Sequence, residues 1–170
     1  IFMIFKLLHY SPYLSGIVLF IIFVYFHGNL EFQMKIAQLA LESVINIFMS
    51  TILKKLIRQP RPNSSDYGFP SAHSMFWSGF TFQYYMIFGI NKILIVLSLL
   101  TVFVCAQRLI SNYHTFDQVL YGVIFGSALS VLWNFICVQS NFALVKLCLQ
   151  IYLQFEQLVV KFSSEQKERA

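Results

Sequence analysis

Long apolar runs alternate with short polar links along most of the chain. Residues 10–27, 36–56, 71–88, 92–106 and 115–138 are each predominantly apolar, and a helix needs about 20 such residues to cross the hydrocarbon of a bilayer. Gly28-Asn29, Gly89-Ile90-Asn91 and the stretch from Pro60 to Pro70 interrupt them, as backbone breakers do between helices. Pro12 falls near the start of the first run, where a proline in the first helical turn costs little. The pattern predicts an all-α, multi-span transmembrane helical bundle of about five spans. Residues 141–162 differ: Lys146, Gln150, Gln154, Gln157 and Lys161 recur at three- and four-residue intervals among apolar residues. One polar stripe on one helix predicts a C-terminal amphipathic helix, lying at the interface or packed on the bundle rather than making a sixth span. The expected organisation is a membrane-embedded domain over 1–140, that helix over 141–162, and a polar tail over 163–170.

The second run carries its own stripe, Gln38, Glu42, Asn46, Ser50 and Lys54, each four residues from the last. Side chains at that spacing share a helix face, and such a face is too costly to present to lipid. It points inward, either as interhelical hydrogen-bond glue or as the polar floor of a site at the Lys54 end. Gly122, Gly126 and Ser130 form a small-residue stripe on the fifth run, which predicts close packing against a neighbouring span in preference to dimerisation. Phe76, Trp77, Phe80 and Tyr84 on the third run are expected to fill core or lipid-facing surface.

Composition excludes a soluble domain. The chain of 170 residues is 58% hydrophobic and only 11% charged, against about 25% charged in an ordinary soluble protein. Its net charge of +5 does not indicate nucleic acid, because the basic residues sit at segment ends rather than along one face. The cysteines, Cys105, Cys137 and Cys148, lie inside apolar runs without C-x-x-C spacing, so neither a disulfide framework nor a zinc site is expected. The apolar opening, interrupted by Lys6 and His9, lacks a small-residue cleavage signature, and no removable signal peptide is expected.

Three polar motifs interrupt this apolar chain. Lys54 precedes Arg61-Pro62 by seven residues, and Pro60 and Pro62 stiffen the backbone on both sides of Arg61. Pro70-Ser71-Ala72-His73 opens the third run, where first-turn N–H groups lack intrahelical acceptors and can cradle an anion. Arg108 and His114 flank the link between the fourth and fifth runs. Six residues apart, they diverge on an ideal helix, so a turn must bring them together. Asp117 and Gln118 both return to the His114 face, and either can hold a ring nitrogen. Singly, each motif has an ordinary explanation as a surface anchor or a helix cap. With the runs alternating across the bilayer, all three emerge on one side, and two arginines, a lysine, a helix N-terminus and two histidines make a phosphate-shaped set.

Lys54 with Arg61-Pro62, Pro70-Ser71-Ala72-His73, and Arg108 with His114 resemble, in order, the three signature motifs of the type 2 phosphatidic acid phosphatase superfamily. Arg58-Gln59-Pro60-Arg61-Pro62, His73-Ser74-Met75-Phe76 and Tyr113-His114-Thr115 with Gln118-Val119-Leu120 are similar to its dolichyl-diphosphate phosphatases. Many members have serine where this chain has Gln107 and aspartate where it has Gln118. The resemblance implies phosphoryl transfer to His114, with His73 as general acid and then base, and no metal or other cofactor. Lys54, Arg61, Arg108 and the N–H groups of Ser71 and Ala72 would hold the phosphate, and Gln118 or Asp117 would orient His114. The implied substrate is a polyprenyl diphosphate of the dolichyl type in the bilayer, with dolichol recycling for glycosylation as the implied role. Other lipid phosphates, including phosphatidate and undecaprenyl diphosphate, are the alternative within the class. A non-catalytic transporter or binding protein is the alternative outside it. Setting aside Lys54, Arg61 and Arg108, the motif side carries Lys6, Lys55 and Arg58, and the other side Lys35, Lys92, Lys146, Lys161, Lys167 and Arg169. The positive-inside rule then puts the site away from the cytosol, and the resemblance implies the lumen of the endoplasmic reticulum.

Overall fold

The computed structural model describes residues 2–168. In chain order, helices α1 (Phe2–Tyr25) and α2 (Leu30–Ile57) precede a hairpin of β1 (Pro60–Arg61) and β2 (Ser64–Tyr67). Helices α3 (Ala72–Phe88), α4 (Lys92–Ile110), α5 (Phe116–Gln139) and α6 (Ala143–Glu168) follow. The all-α expectation holds, with the hairpin as a small addition inside the link from 60 to 70.

Local chemistry sets the boundaries. Asn29 accepts from the Phe32 N–H at 3.1 Å and starts α2 six residues before the expected 36. Asn91 receives the N–H groups of Ile93 and Leu94 and starts α4. Thr115 and Gln118 form a reciprocal capping box at the head of α5. Pro12 is not at a helix start, because α1 begins at Phe2 and carries it inside. A proline there cannot donate to the Leu8 carbonyl, and Ser11 Oγ donates to that oxygen instead at 2.7 Å. α4 runs on to Ile110, past the expected 106, so Arg108 belongs to its last turn.

α3 lies at the centre, packed against α5, α2 and α4. Met75, Phe76, Trp77 and Phe80 are buried on it, so the third-run aromatics are core, with Tyr84 partly buried against the same cluster. The small-residue stripe of α5 faces α3: a Cβ at Gly122 would stand 2.8 Å from the Ser71 carbonyl oxygen, and one at Gly126 would collide with the Met75 carbonyl. The stripe therefore serves internal packing, as expected. The α2 stripe also points inward. Gln38, Glu42, Asn46 and Ser50 are buried, and Ser130 Oγ joins Glu42 Oε1 at 2.6 Å and the Gly79 carbonyl at 2.8 Å. Asn46 donates to the same Glu42 oxygen.

Helices α2, α4, α5 and Ala143–Ser164 of α6 are long and apolar enough to cross a membrane. Tyr10–Tyr25 is a shorter apolar helix, and α3, at 17 residues, is enclosed by its neighbours. The C-terminal helix thus meets the length and composition of a span, beyond its expected amphipathic character. Its contacts fall at the end of the bundle remote from the motifs: Val145 packs with Trp133 and Cys137, Tyr152 meets Phe23 edge-on at 4.8 Å, and Glu156 Oε1 lies 3.5 Å from His27 Nδ1. The tail expected over 163–170 is helical as far as Glu168; residues 169–170, with Arg169, and the side chains of Lys6 and Lys167 lie outside the described residues.

Candidate active site

The site lies where α2 and α4 end and α3 and α5 begin. Arg58, in the left-handed region at φ 55°, closes α2 by donating its N–H to the Lys54 carbonyl at 3.0 Å. This leaves Lys54 in the last turn, half-buried. Two residues later the hairpin presents Arg61 beside Pro62. The hairpin's base is fixed by the Gly68 N–H donating to the Gln59 carbonyl at 2.7 Å. Gly68 has to be glycine for space: a Cβ there would stand 2.6 Å from Gln118 Oε1 and 2.8 Å from Arg61 Cγ.

The turn needed between Arg108 and His114 is present. Asn112 takes φ 52°, and the chain folds back so that the N–H groups of Tyr113 and His114 both donate to the Arg108 carbonyl, at 3.1 and 3.3 Å. The Arg108 side chain is buried, with its guanidinium carbon 5.4 Å from the centre of the Tyr113 ring.

Gln118 ties these pieces together. Its Nε2 donates to the Pro60 carbonyl at 2.9 Å, and its Oε1 accepts the Thr115 N–H at 3.3 Å. Those two bonds fix which end of the amide faces His114. Oε1 lies 3.0 Å from His114 Nδ1, so Nδ1 carries the proton and Nε2 keeps its lone pair. The Gln118 carbonyl accepts the Ser71 N–H at 2.8 Å, which holds the N-terminus of α3, with His73 in its first turn, against the first turn of α5. Between the two expected orienting residues, Gln118 makes the contact, and Asp117 is exposed.

Ser71 differs from the expectation in one respect. Its N–H is spent on Gln118, and its hydroxyl accepts from Ser74 as the N-cap of α3. Of the two expected N–H donors, Ser71 is thus already bonded within the protein, whereas Ala72 opens the helix, where a first-turn N–H has no intrahelical acceptor.

The electrostatics agree with an anion pocket. Burial, then the charges of Arg61, Lys54 and Arg108, push the His114 imidazole down to about 4, against a partial upward pull from Gln118. His114 is therefore neutral at ordinary pH. Lys54 in turn feels Arg61, Arg108 and the carboxylate of Asp66. The buried Arg61 Nε has no hydrogen-bond acceptor among the described residues. Positive charge from three side chains thus converges on His114, a setting that suits an anion. No group of three or more His, Cys, Asp or Glu residues that could hold a metal occurs among the described residues.

The sequence reading missed the hairpin, Gly68, the Tyr113 ring over Arg108 and the acid at Asp66. The Thr115-x-x-Gln118 capping box was legible as a pattern.

Comparison with known proteins gives the same direction. Residues 63–142 match the model of the PAP2 superfamily. A dolichyldiphosphatase of Saccharomyces cerevisiae is 33% identical over 119 residues, covering 57% of this chain and 49% of that protein. Human dolichyldiphosphatase 1 is 32% identical over 153 residues, covering 74% and 63%. Human sphingosine-1-phosphate phosphatase 2 is 28% identical over 169 residues, covering 84% and 41%. The chain thus spans about half the length of the curated relatives it matches. No solved structure matches it significantly. The family match reaches across the second and third motifs, whose residues gather at one end of the bundle, and over this region the chain is similar to the PAP2 superfamily.

Proposed function

We propose that the chain is an integral membrane lipid phosphatase that hydrolyses the terminal phosphate of a dolichyl-type polyprenyl diphosphate, giving the polyprenyl monophosphate. The observation that carries this reading is a neutral, Nδ1-protonated His114 facing three cations. A histidine surrounded by positive charge is a poor cation and a good nucleophile.

In the proposed reaction His114 Nε2 attacks the terminal phosphorus in line. The bond from phosphorus to the bridging oxygen breaks, and His73 gives a proton to the departing polyprenyl phosphate. Water then attacks the phosphohistidine, His73 takes its proton, the N–P bond breaks, and inorganic phosphate leaves. Lys54, Arg61, Arg108 and the Ala72 N–H stabilise the charge on the equatorial oxygens throughout. These cations take the part that a metal ion plays in other phosphoryl transfers.

The lipid tail stays in the bilayer beside the apolar helices. The proposed role is recycling of dolichyl diphosphate in the endoplasmic reticulum membrane; the likeness to two dolichyldiphosphatases supports the substrate, and the charge bias supports a site on the lumenal side. A second reading, a phosphate monoester of a long-chain base, draws on the match to sphingosine-1-phosphate phosphatase 2, which covers more of this chain.

Phosphate release by the purified chain in detergent with EDTA tests both readings, with dolichyl diphosphate, dolichyl phosphate, sphingosine-1-phosphate and phosphatidate compared. The expected result is preference for the diphosphate, full activity in EDTA and loss of at least about a thousandfold in His114→Ala. Activity that survives His114→Ala, or that requires added magnesium, would refute the mechanism.

A further inference from the structure

One motif on the site side takes no part in the chemistry of the pocket. In Asn63-Ser64-Ser65 an asparagine precedes a serine by two residues with no proline between them, which is the pattern that oligosaccharide transfer to asparagine requires. No other asparagine of the chain has Ser or Thr two residues on. The fold puts this motif at the tip of the hairpin. Arg61 pairs with Ser64, so Pro62 and Asn63 form the turn between β1 and β2. Proline followed by asparagine suits such a turn, the ring fixing φ and the short amide side chain tolerating the bend. Asn63 and both serines are exposed, as is the whole of β2. The other end of the hairpin is fastened, by the Gly68 N–H on the Gln59 carbonyl and by Gln118 Nε2 on the Pro60 carbonyl. The packed base therefore braces the element, and the open tip presents Asn63 to water. The link is also long enough to be reached during synthesis. α2 ends at Ile57 and α3 starts at Ala72, and before the hairpin closes an extended chain from Ile57 to Asn63 reaches about 20 Å.

We propose that Asn63 is an N-glycosylation site, and that its glycan marks the hairpin end of the bundle as lumenal. The inference rests on the phosphatase reading for its compartment, the lumenal side of the endoplasmic reticulum membrane. The co-reactant is an oligosaccharide joined through a diphosphate to a polyprenol, presented by a membrane-bound transferase. Asn63 Nδ2 attacks the anomeric carbon, the bond from that carbon to the diphosphate oxygen breaks, Nδ2 gives up a proton, and polyprenyl diphosphate departs. The leaving group is of the class that the pocket is proposed to hydrolyse, so each chain modified releases one molecule of its own substrate. The glycan has a structural consequence as well. β2 pairs only with β1 among the described residues, and a bulky polar group at the turn shields the exposed strand from edge-to-edge pairing.

Translation of the chain with endoplasmic reticulum microsomes, followed by digestion with peptide N-glycosidase, tests the assignment. The wild type should migrate one glycan heavier and lose that increment on digestion. Asn63→Gln and Ser65→Ala should each abolish the increment, and Ser65→Thr should retain it. A wild type without the increment would overturn the inference, whether the hairpin faces the cytosol or the transferase fails to reach it. An increment that survives Asn63→Gln would overturn it too. Phosphate release in detergent from the same preparations keeps the two readings apart. A glycosylated chain that cleaves no lipid phosphate removes the phosphatase assignment and leaves the glycan standing; a bare Asn63 with His114-dependent phosphate release does the reverse.

Discussion

Gln118 does with an amide what a carboxylate in its place could do only in part. An aspartate can accept from His114 Nδ1, but it has no donor for the Pro60 carbonyl, which Gln118 Nε2 reaches at 2.9 Å. The exchange therefore gives up a negative partner for the histidine and gains a tie to the hairpin that carries Arg61. Gln118→Ala strands both the ring nitrogen and the Pro60 carbonyl, and phosphate release should drop about a hundredfold. Asp117→Asn, altering an exposed side chain, should stay within about twofold of wild type. Equal rates for the two variants would deny Gln118 its part. The pH dependence follows from the same residue. His114, held down to about 4, stays neutral well below the range of ordinary imidazole, so its contribution to the acid limb of kcat/KM belongs near pH 4. Gln118→Glu places a carboxylate against Nδ1, favours the imidazolium, and should move that limb upward. Profiles of the two proteins on the same substrate provide the check, since ionisation of the substrate is common to both.

At the scale of elements, the site depends on how closely α5 approaches α3. Gly122 and Gly126 meet the α3 backbone where any Cβ would intrude, and the Ser71–Gln118 bond sits one turn further toward the site. Gly126→Leu should push the helices apart, destabilise the fold by about 3 kcal/mol and lower activity, seen as a reduced Tm in detergent. An unaltered Tm would mean that the close packing carries no load. This element was legible beforehand, because small residues four apart continue the stripe that begins at His114. The helix ends were less so. α2 and α4 extend beyond their hydrophobic cores because caps and turns, rather than hydropathy, stop a helix. Pro12 shows the converse: a strong breaker in the sequence is accommodated where Ser11 takes over the vacant carbonyl.

Over the whole molecule, residue types at the site were readable because phosphate chemistry demands cations and imidazoles, and few of these occur in so apolar a chain. Alternation of spans placed them together. Which group bonds to which was not readable. The choice between Asp117 and Gln118, and the diversion of the Ser71 N–H to the α5 carbonyl, depend on a hairpin that hydropathy reports only as a gap. The C-terminal helix is the opposite case, since its polar stripe masks a length and composition sufficient for crossing.

The enclosure of α3 bears on how the chain is made. This helix is short, and its partners for Gly79, Ser71 and Met75 come from α5, synthesised some fifty residues later. Until Ser130 arrives, the Glu42 carboxyl lacks its partner from α5. A nascent chain halted before Ser130 would therefore hold an acidic group without its α5 partner inside the bilayer, a substrate for membrane quality control rather than a stable intermediate.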